Sequence, residues 1–183
     1  MNAVMPAAAP RRATLRFMLQ HPAHVIALGA GSGLAPRAPG TAGTLAAWLA
    51  FVLLEQRFGP LPWGGLLIAA LGLGIWACTL CARHLGVADP GAIVWDEVIA
   101  FWAVLWLIAP AGGLAQLLAF ALFRFFDAAK PGPVGWADRL FKPRDGAAVG
   151  WAQGFGILFD DLVAAACTLL LLLPTRAWWA SWT

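Results

Sequence analysis

The fold this chain predicts is an all-α, multi-pass membrane bundle of about four to five apolar helices, preceded by a short N-terminal interfacial helix. Composition, size and segmentation predict it. Of the 183 residues, 61% are hydrophobic and 11% charged, whereas soluble domains are about 45–50% apolar and about 25% charged. A chain of this length makes one compact domain, and one domain of that size cannot bury so much apolar surface. The apolar residues also fall in runs whose lengths and Gly/Pro boundaries favour helices.

Residues 1–13, rich in Ala and Pro, read as a flexible tail. Residues 14–29 suit a partly amphipathic helix on the membrane surface, broken near Pro22. The stretch GAGSGLAPRAPGTAG over 29–43 reads as an irregular loop, since neither Gly nor Pro sustains a helix. Apolar segments follow at about 43–57, 62–83, 92–109, 112–126 and 155–173. A crossing needs about 20 residues, with a range of about 17–25. The second, third and fifth reach that length, while the first and fourth are short. The expected membrane domain spans 14–174, with a C-terminal tail at 175–183.

Orientation follows from the basic residues, which favour the cytoplasmic side. With five crossings, Arg11, Arg12, Arg16, Arg37, Arg83, Arg124, Lys130, Arg139, Lys142 and Arg144 share one side, and only Arg57 and Arg176 take the other. The net charge of +3 is dispersed through hydrophobic sequence. That excludes a massed nucleic-acid patch and favours attraction to anionic membrane lipids. Cys78 and Cys81 sit one helical turn apart in apolar sequence and read as buried structural thiols.

The acidic residues are the chemical signal. Asp96 and Glu97 lie in AIVWDEVIAFW, Asp127 in FRFFDAAKP, and Asp160 and Asp161 in GFGILFDDLVAA. Ionisable groups at membrane depth are costly, which points to function. Antiparallel threading places all three clusters at the cytoplasmic end. Gathered carboxylates must be protonated, paired or neutralised by a cation, and Mg²⁺ combines carboxylates with phosphate oxygens and water. Asp96, Glu97, Asp127, Asp160 and Asp161 therefore form one pool of catalytic and metal-ligand candidates. Adjacent helix residues point about 100° apart, so each acidic pair is expected to offer one ligand and one supporting group. Arg124, Asp127 and Lys130 would share a helix face if the helix continued to Lys130. The 31–44 loop adds Ser32, Arg37, Thr41 and Thr44, which with Arg124 and Lys130 are candidates for binding a substrate phosphate.

Four ordered blocks, GSGLAPRAPGTAGT (31–44), GAIVWDEVIAFW (91–102), FRFFDAAKPGPVGWADR (123–139) and GFGILFDDLVAA (154–165), resemble the phosphatidylglycerophosphatase A family. The resemblance implies a Mg²⁺-dependent lipid phosphatase of the bacterial inner membrane, acting on phosphatidylglycerophosphate from the cytoplasmic side. It leaves open direct attack by water or an aspartyl-phosphate intermediate, and it says nothing of oligomeric state. Other lipid phosphatases and phosphotransferases are the competing class, but D-G-x-x-A-R and C-x₅-R are absent. A small ion-coupled transporter is disfavoured by the lack of an internal repeat.

Overall fold

The computed structural model describes residues 11–58, 62–142 and 149–175. The expected tails at 1–13 and 175–183 lie mostly outside the described residues, as does Arg144. Every described regular element is helical: α1 (Leu15–Met18), α2 (Pro22–Ala27), α3 (Pro39–Phe58), α4 (Trp63–Leu85), α5 (Trp95–Ile108), α6 (Gly113–Ala129), α7 (Pro133–Leu140) and α8 (Trp151–Leu172). Short 3₁₀ segments occupy Gly29–Leu34 and Leu173–Thr175.

Among the described residues, two helices are long and apolar enough to cross a membrane. These are Trp63–Leu85, with 23 residues, and Trp151–Thr175, with 25, each reaching a mean hydropathy of 2.1. At about 1.5 Å per residue both exceed the roughly 30 Å hydrocarbon core. α4 ends on Gly86, whose φ of 70° closes the last turn in the left-handed conformation. α8 begins where the Gln153 side chain accepts the Gly150 N–H at 2.7 Å.

Three boundaries differ from the sequence expectation. α3 starts at Pro39 rather than near 43 and runs for 20 residues. Proline suits a first helical turn, where its missing N–H has no partner to lose, so Pro39, Gly40 and Thr41 are helix and not loop. α5 has 14 residues, about 21 Å, which is shorter than the expected 92–109. It is the central helix, touching α3, α4, α6 and α8. α7 lies inside what reads as a long connection between 127 and 154. It opens on Pro133 and buries Val134, Gly135 and Ala137 against its neighbours, chiefly α8.

The N-terminal segment breaks at Pro22 into α1 and α2, and α2 packs on α4. Phe17, Leu28, Cys78, Cys81, Leu85 and Ile99 form one buried cluster there, with both thiols free. A second core gathers Phe51, Trp63, Phe101, Phe123 and Leu172 among α3, α4, α5, α6 and α8. Indole N–H groups tie the helices across the bundle: Trp102 donates to the Ala47 carbonyl at 2.8 Å, and Trp48 to Gln116 Oε1 at 2.6 Å. Leu49, Leu53, Ile68, Leu117 and Leu170 instead point outward and are exposed. This is the reverse of what water selects and what lipid accepts.

Candidate active site

Three helices deliver carboxylates to one end of the bundle. α5 places Asp96 and Glu97 in its first turn, α8 places Asp161 at mid-helix, and one oxygen from each lies within 4.8 Å of the others. Asp127, near the end of α6, is within hydrogen-bonding reach of Asp161. Asp160 faces the other way and accepts from Lys130 Nζ at 2.6 Å. Asp161 thus faces Asp96 and Glu97 while its chain neighbour Asp160 faces Lys130, and Asp96 and Glu97 both join the trio. Asp96 Oδ1 also accepts the Glu97 N–H at 3.1 Å, so the first turn holds the two acids together.

Arg124 sits over this trio. Its Nη1 bonds Asp127, lies 3.7 Å from Glu97 Oε1 and donates to Thr44 Oγ1 at 3.4 Å. Thr44 is buried and donates to the Gly40 carbonyl at 2.9 Å. Gly40 is close enough that a Cβ there would overlap Glu97 Oε1 and lie 3.2 Å from both Arg124 Nη atoms. Gly43 packs equally tightly on Val94. These glycines let α3 approach α5, a role different from the exposed backbone amides that a loop would offer.

Lys130 does not share the Arg124–Asp127 face. α6 stops at Ala129, and Lys130 turns left-handed at φ 45°. Its ammonium reaches both Asp138 Oδ1 at 2.5 Å and Asp160 Oδ2 at 2.6 Å. Asp138 comes from α7 and also accepts from Lys142 at 2.6 Å. Burial pushes the Asp138 carboxyl up, but its bonds from Lys130 and Lys142 outweigh this and hold it below the usual carboxylate range. Burial likewise works against the charged Lys130, yet Asp138 and Asp160 leave its ammonium harder to deprotonate than a free lysine. Asp138 is the site-lining acid that sequence reasoning missed. It stood in the FRFFDAAKPGPVGWADR block, but the unrecognised helix α7 left it in an apparent loop.

The remaining phosphate candidates lie elsewhere or are spent locally. Ser32 donates to the Gly29 carbonyl at 2.9 Å, closing its own 3₁₀ turn. Thr41 is half-buried in the first turn of α3. Arg37 is exposed between that turn and α3, and it makes no ion pair among the described residues.

The carboxylate set fits a hard divalent cation. Every donor is an oxygen, and two buried oxygens, Glu97 Oε2 and Asp161 Oδ2, have no hydrogen-bond partner. Buried polar atoms normally find one, and a cation between these acids would satisfy both. Arg124 and Lys130 beside them supply positive charge for an anionic substrate.

Residues 25–176 match the family model described as phosphatidylglycerophosphatase A. A phosphatidylglycerophosphatase A of Haemophilus influenzae is 36% identical over 165 residues, covering 89% of this chain and 94% of its own length. One from Escherichia coli is 37% identical over 152 residues, covering 81% and 80%. A Bacteroides thetaiotaomicron protein, named provisionally as a phosphatidylinositol-3-phosphatase, is 34% identical over 160 residues, covering 83% and 92%. No solved structure matches the chain. With a family match across nearly all of its helical body, and relatives aligned along most of their own length, the chain belongs to the phosphatidylglycerophosphatase A family.

Proposed function

We propose that this chain is a Mg²⁺-dependent lipid phosphatase that converts phosphatidylglycerophosphate and water to phosphatidylglycerol and inorganic phosphate, in phospholipid biosynthesis. The observation that carries the reading is the Asp96–Glu97–Asp161 trio with its two unpartnered buried oxygens, in a chain of this family. The proposed setting is the bacterial inner membrane, with the site facing the cytoplasm. α4 and α8 cross fully in this arrangement, and α3 and α6, with 20 and 17 residues, have the length to do so. The short α5 lies inside the bundle, α1 and α2 lie at the interface, and 14–174 act as one domain. A lipid substrate keeps its acyl chains in the bilayer while its terminal phosphate enters beside Arg124.

Asp96, Glu97 and Asp161 would hold Mg²⁺, with Asp127 adjacent. Bound there, the ion supplies charge neutralisation and polarises a phosphate oxygen. Arg124 offers its planar fork to the phosphoryl oxygens, steadied by Asp127 and Thr44. Lys130, held by Asp138 and Asp160, adds a fixed positive charge at the rim. A water attacks phosphorus and gives its proton to Asp127. The bond from phosphorus to the glycerol oxygen breaks, and Asp127 passes the proton it took from water to that oxygen as phosphatidylglycerol leaves.

The test is phosphate release from phosphatidylglycerophosphate by the purified protein, with Mg²⁺ and after chelation. Phosphatidate and phosphatidylinositol 3-phosphate set the specificity, the latter because of the Bacteroides relative. Mg²⁺-dependent release is expected, fastest from phosphatidylglycerophosphate. No release, or release indifferent to chelation, sinks the reading. A phosphoenzyme trapped by acid quench would replace water with a carboxylate as the attacking group.

A further inference from the structure

The three histidines, at 21, 24 and 84, are scattered in sequence and lie outside the acidic clusters. The fold brings all three together at the junction of α2 with the end of α4. His24 is buried at 3% exposure, stacks on Phe17 with ring centroids 4.0 Å apart, and bonds the Phe17 carbonyl through Nδ1 at 2.8 Å. A carbonyl only accepts, so His24 Nδ1 carries the proton. Burial, chiefly, lowers the His24 pKa and keeps the ring neutral, which leaves Nε2 as an acceptor. His84 Nδ1, 2.8 Å away, must therefore donate to it, which leaves Nε2 of the neutral His84 ring as an acceptor. His21 Nδ1 accepts the Ala23 N–H at 3.1 Å. Its Nε2 then bears the proton and is a donor.

These rings line an open cavity of about 220 Å³ together with Arg11, Phe17 and Gln20. No carboxylate among the described residues lines it. Arg11 is tethered by its backbone N–H to the Leu85 carbonyl at 2.8 Å, and no ion pair among the described residues involves it. The Arg11 guanidinium, the Gln20 amide and the His21 Nε2–H make a set of donors for an anion around this hollow, and His84 Nε2 offers an acceptor for a hydroxyl of the bound group. Leu15 of the neighbouring α1 and Leu19 just after it are 60% and 69% exposed, giving the pocket an apolar edge suited to a membrane surface.

We infer that Arg11, Gln20, His21 and His84 form a second phosphate-binding site, separate from the acidic one, which takes the phosphate of an anionic lipid headgroup or inorganic phosphate. His24 is its positioning residue, since it fixes the tautomer and direction of His84. The site also has a route to the acidic cluster: the Ala27 carbonyl of α2 accepts the Val94 N–H at 2.9 Å, two residues before Asp96.

Because the chain has only 3 histidines, their side-chain NMR signals can be assigned by single substitutions in the full-length protein. The protein in neutral maltoside micelles would be titrated with dihexanoylphosphatidylglycerol, with inorganic phosphate, and with dihexanoylphosphatidylcholine. Saturable movement of the His21 and His84 signals is expected with one or both of the first two, and none with the third. A response to the lipid alone identifies a headgroup as occupant, and a response to inorganic phosphate identifies the free ion. Arg11→Gln, at an exposed position that leaves the fold intact, should weaken binding about tenfold, as loss of a charged hydrogen bond does. Still signals with both phosphates, an affinity untouched by Arg11→Gln, or the same shifts with chloride at equal ionic strength would each overturn the site. None of these readouts involves turnover, so the outcome is independent of the proposed phosphatase activity.

Discussion

Gly40 and Asp161 show how little room the acidic cluster leaves. Any side chain at position 40 would enter the space of the Glu97 carboxylate and crowd Arg124. Gly40→Ala should therefore keep the helical circular-dichroism signal and lower kcat/KM on the lipid phosphate by about a hundredfold, the scale of a small misplacement of reacting groups. Wild-type activity in that variant would mean that α3 does not press on the site. Asp161 carries an unpartnered oxygen amid like charges. Asp161→Asn should weaken Mg²⁺ activation by at least the roughly 10–100-fold that loss of an outer-shell partner costs. It should also relieve repulsion, so that the variant melts no lower than wild type in chelator and gains nothing from added Mg²⁺. A variant that Mg²⁺ stabilises as much as wild type would remove Asp161 from the ligand set.

At the scale of elements, Lys130 joins the end of α6 to α7 through Asp138 and to α8 through Asp160. The pH range of the Lys130–Asp138 arm follows from the shifts of those two groups. Asp138 is held below its ordinary value near 3.9, so its contribution is complete above that value and vanishes as pH falls through the lower folded one. Lys130 is held above about 10.4, so its contribution is complete below that value and vanishes as pH rises through the higher folded one. The Lys130–Asp138 bond should thus hold from about pH 4 to about pH 10. Thermal melts of wild type and Asp138→Asn should differ by a constant amount across that window and converge below it. Convergence already at pH 6 would show that the bond from Lys130 carries none of the difference. Sequence reading placed Lys130 on the Arg124–Asp127 face on the condition that α6 continued to it. The left-handed turn at the helix end sends it to α7 and α8 instead, and nothing in the periodicity of α6 signals that turn.

The whole molecule gathers the acids where the first turn of α5, the last turn of α6 and the middle of α8 meet, and the asymmetry of ten basic residues against two makes a cytoplasmic placement of that site the expectation to test. Gly91 and Gly113 are exposed, have open space for a Cβ, and stand at opposite ends of the bundle. With the native cysteines replaced, Gly91→Cys should react with an impermeant maleimide only after inverted vesicles are made, and Gly113→Cys in intact spheroplasts. The reverse pattern would invert the orientation. Much of this was legible in the chain. Long apolar runs dictate helices because backbone polar groups must be satisfied internally wherever water is excluded. Acids embedded in those runs mark a site because their burial is costly. What the tertiary structure decided is which carboxylate faces which partner: Asp161 toward Asp96 and Glu97, Asp160 toward Lys130, and Asp138 into a clamp that a short helix builds. It also decided that His21, His24 and His84 meet. Helix type is a local property of ten or twenty residues, whereas facing depends on rotation and close approach between helices far apart in the chain. That approach is set at contacts such as Gly40 on Glu97 and Gly43 on Val94, which no single segment contains.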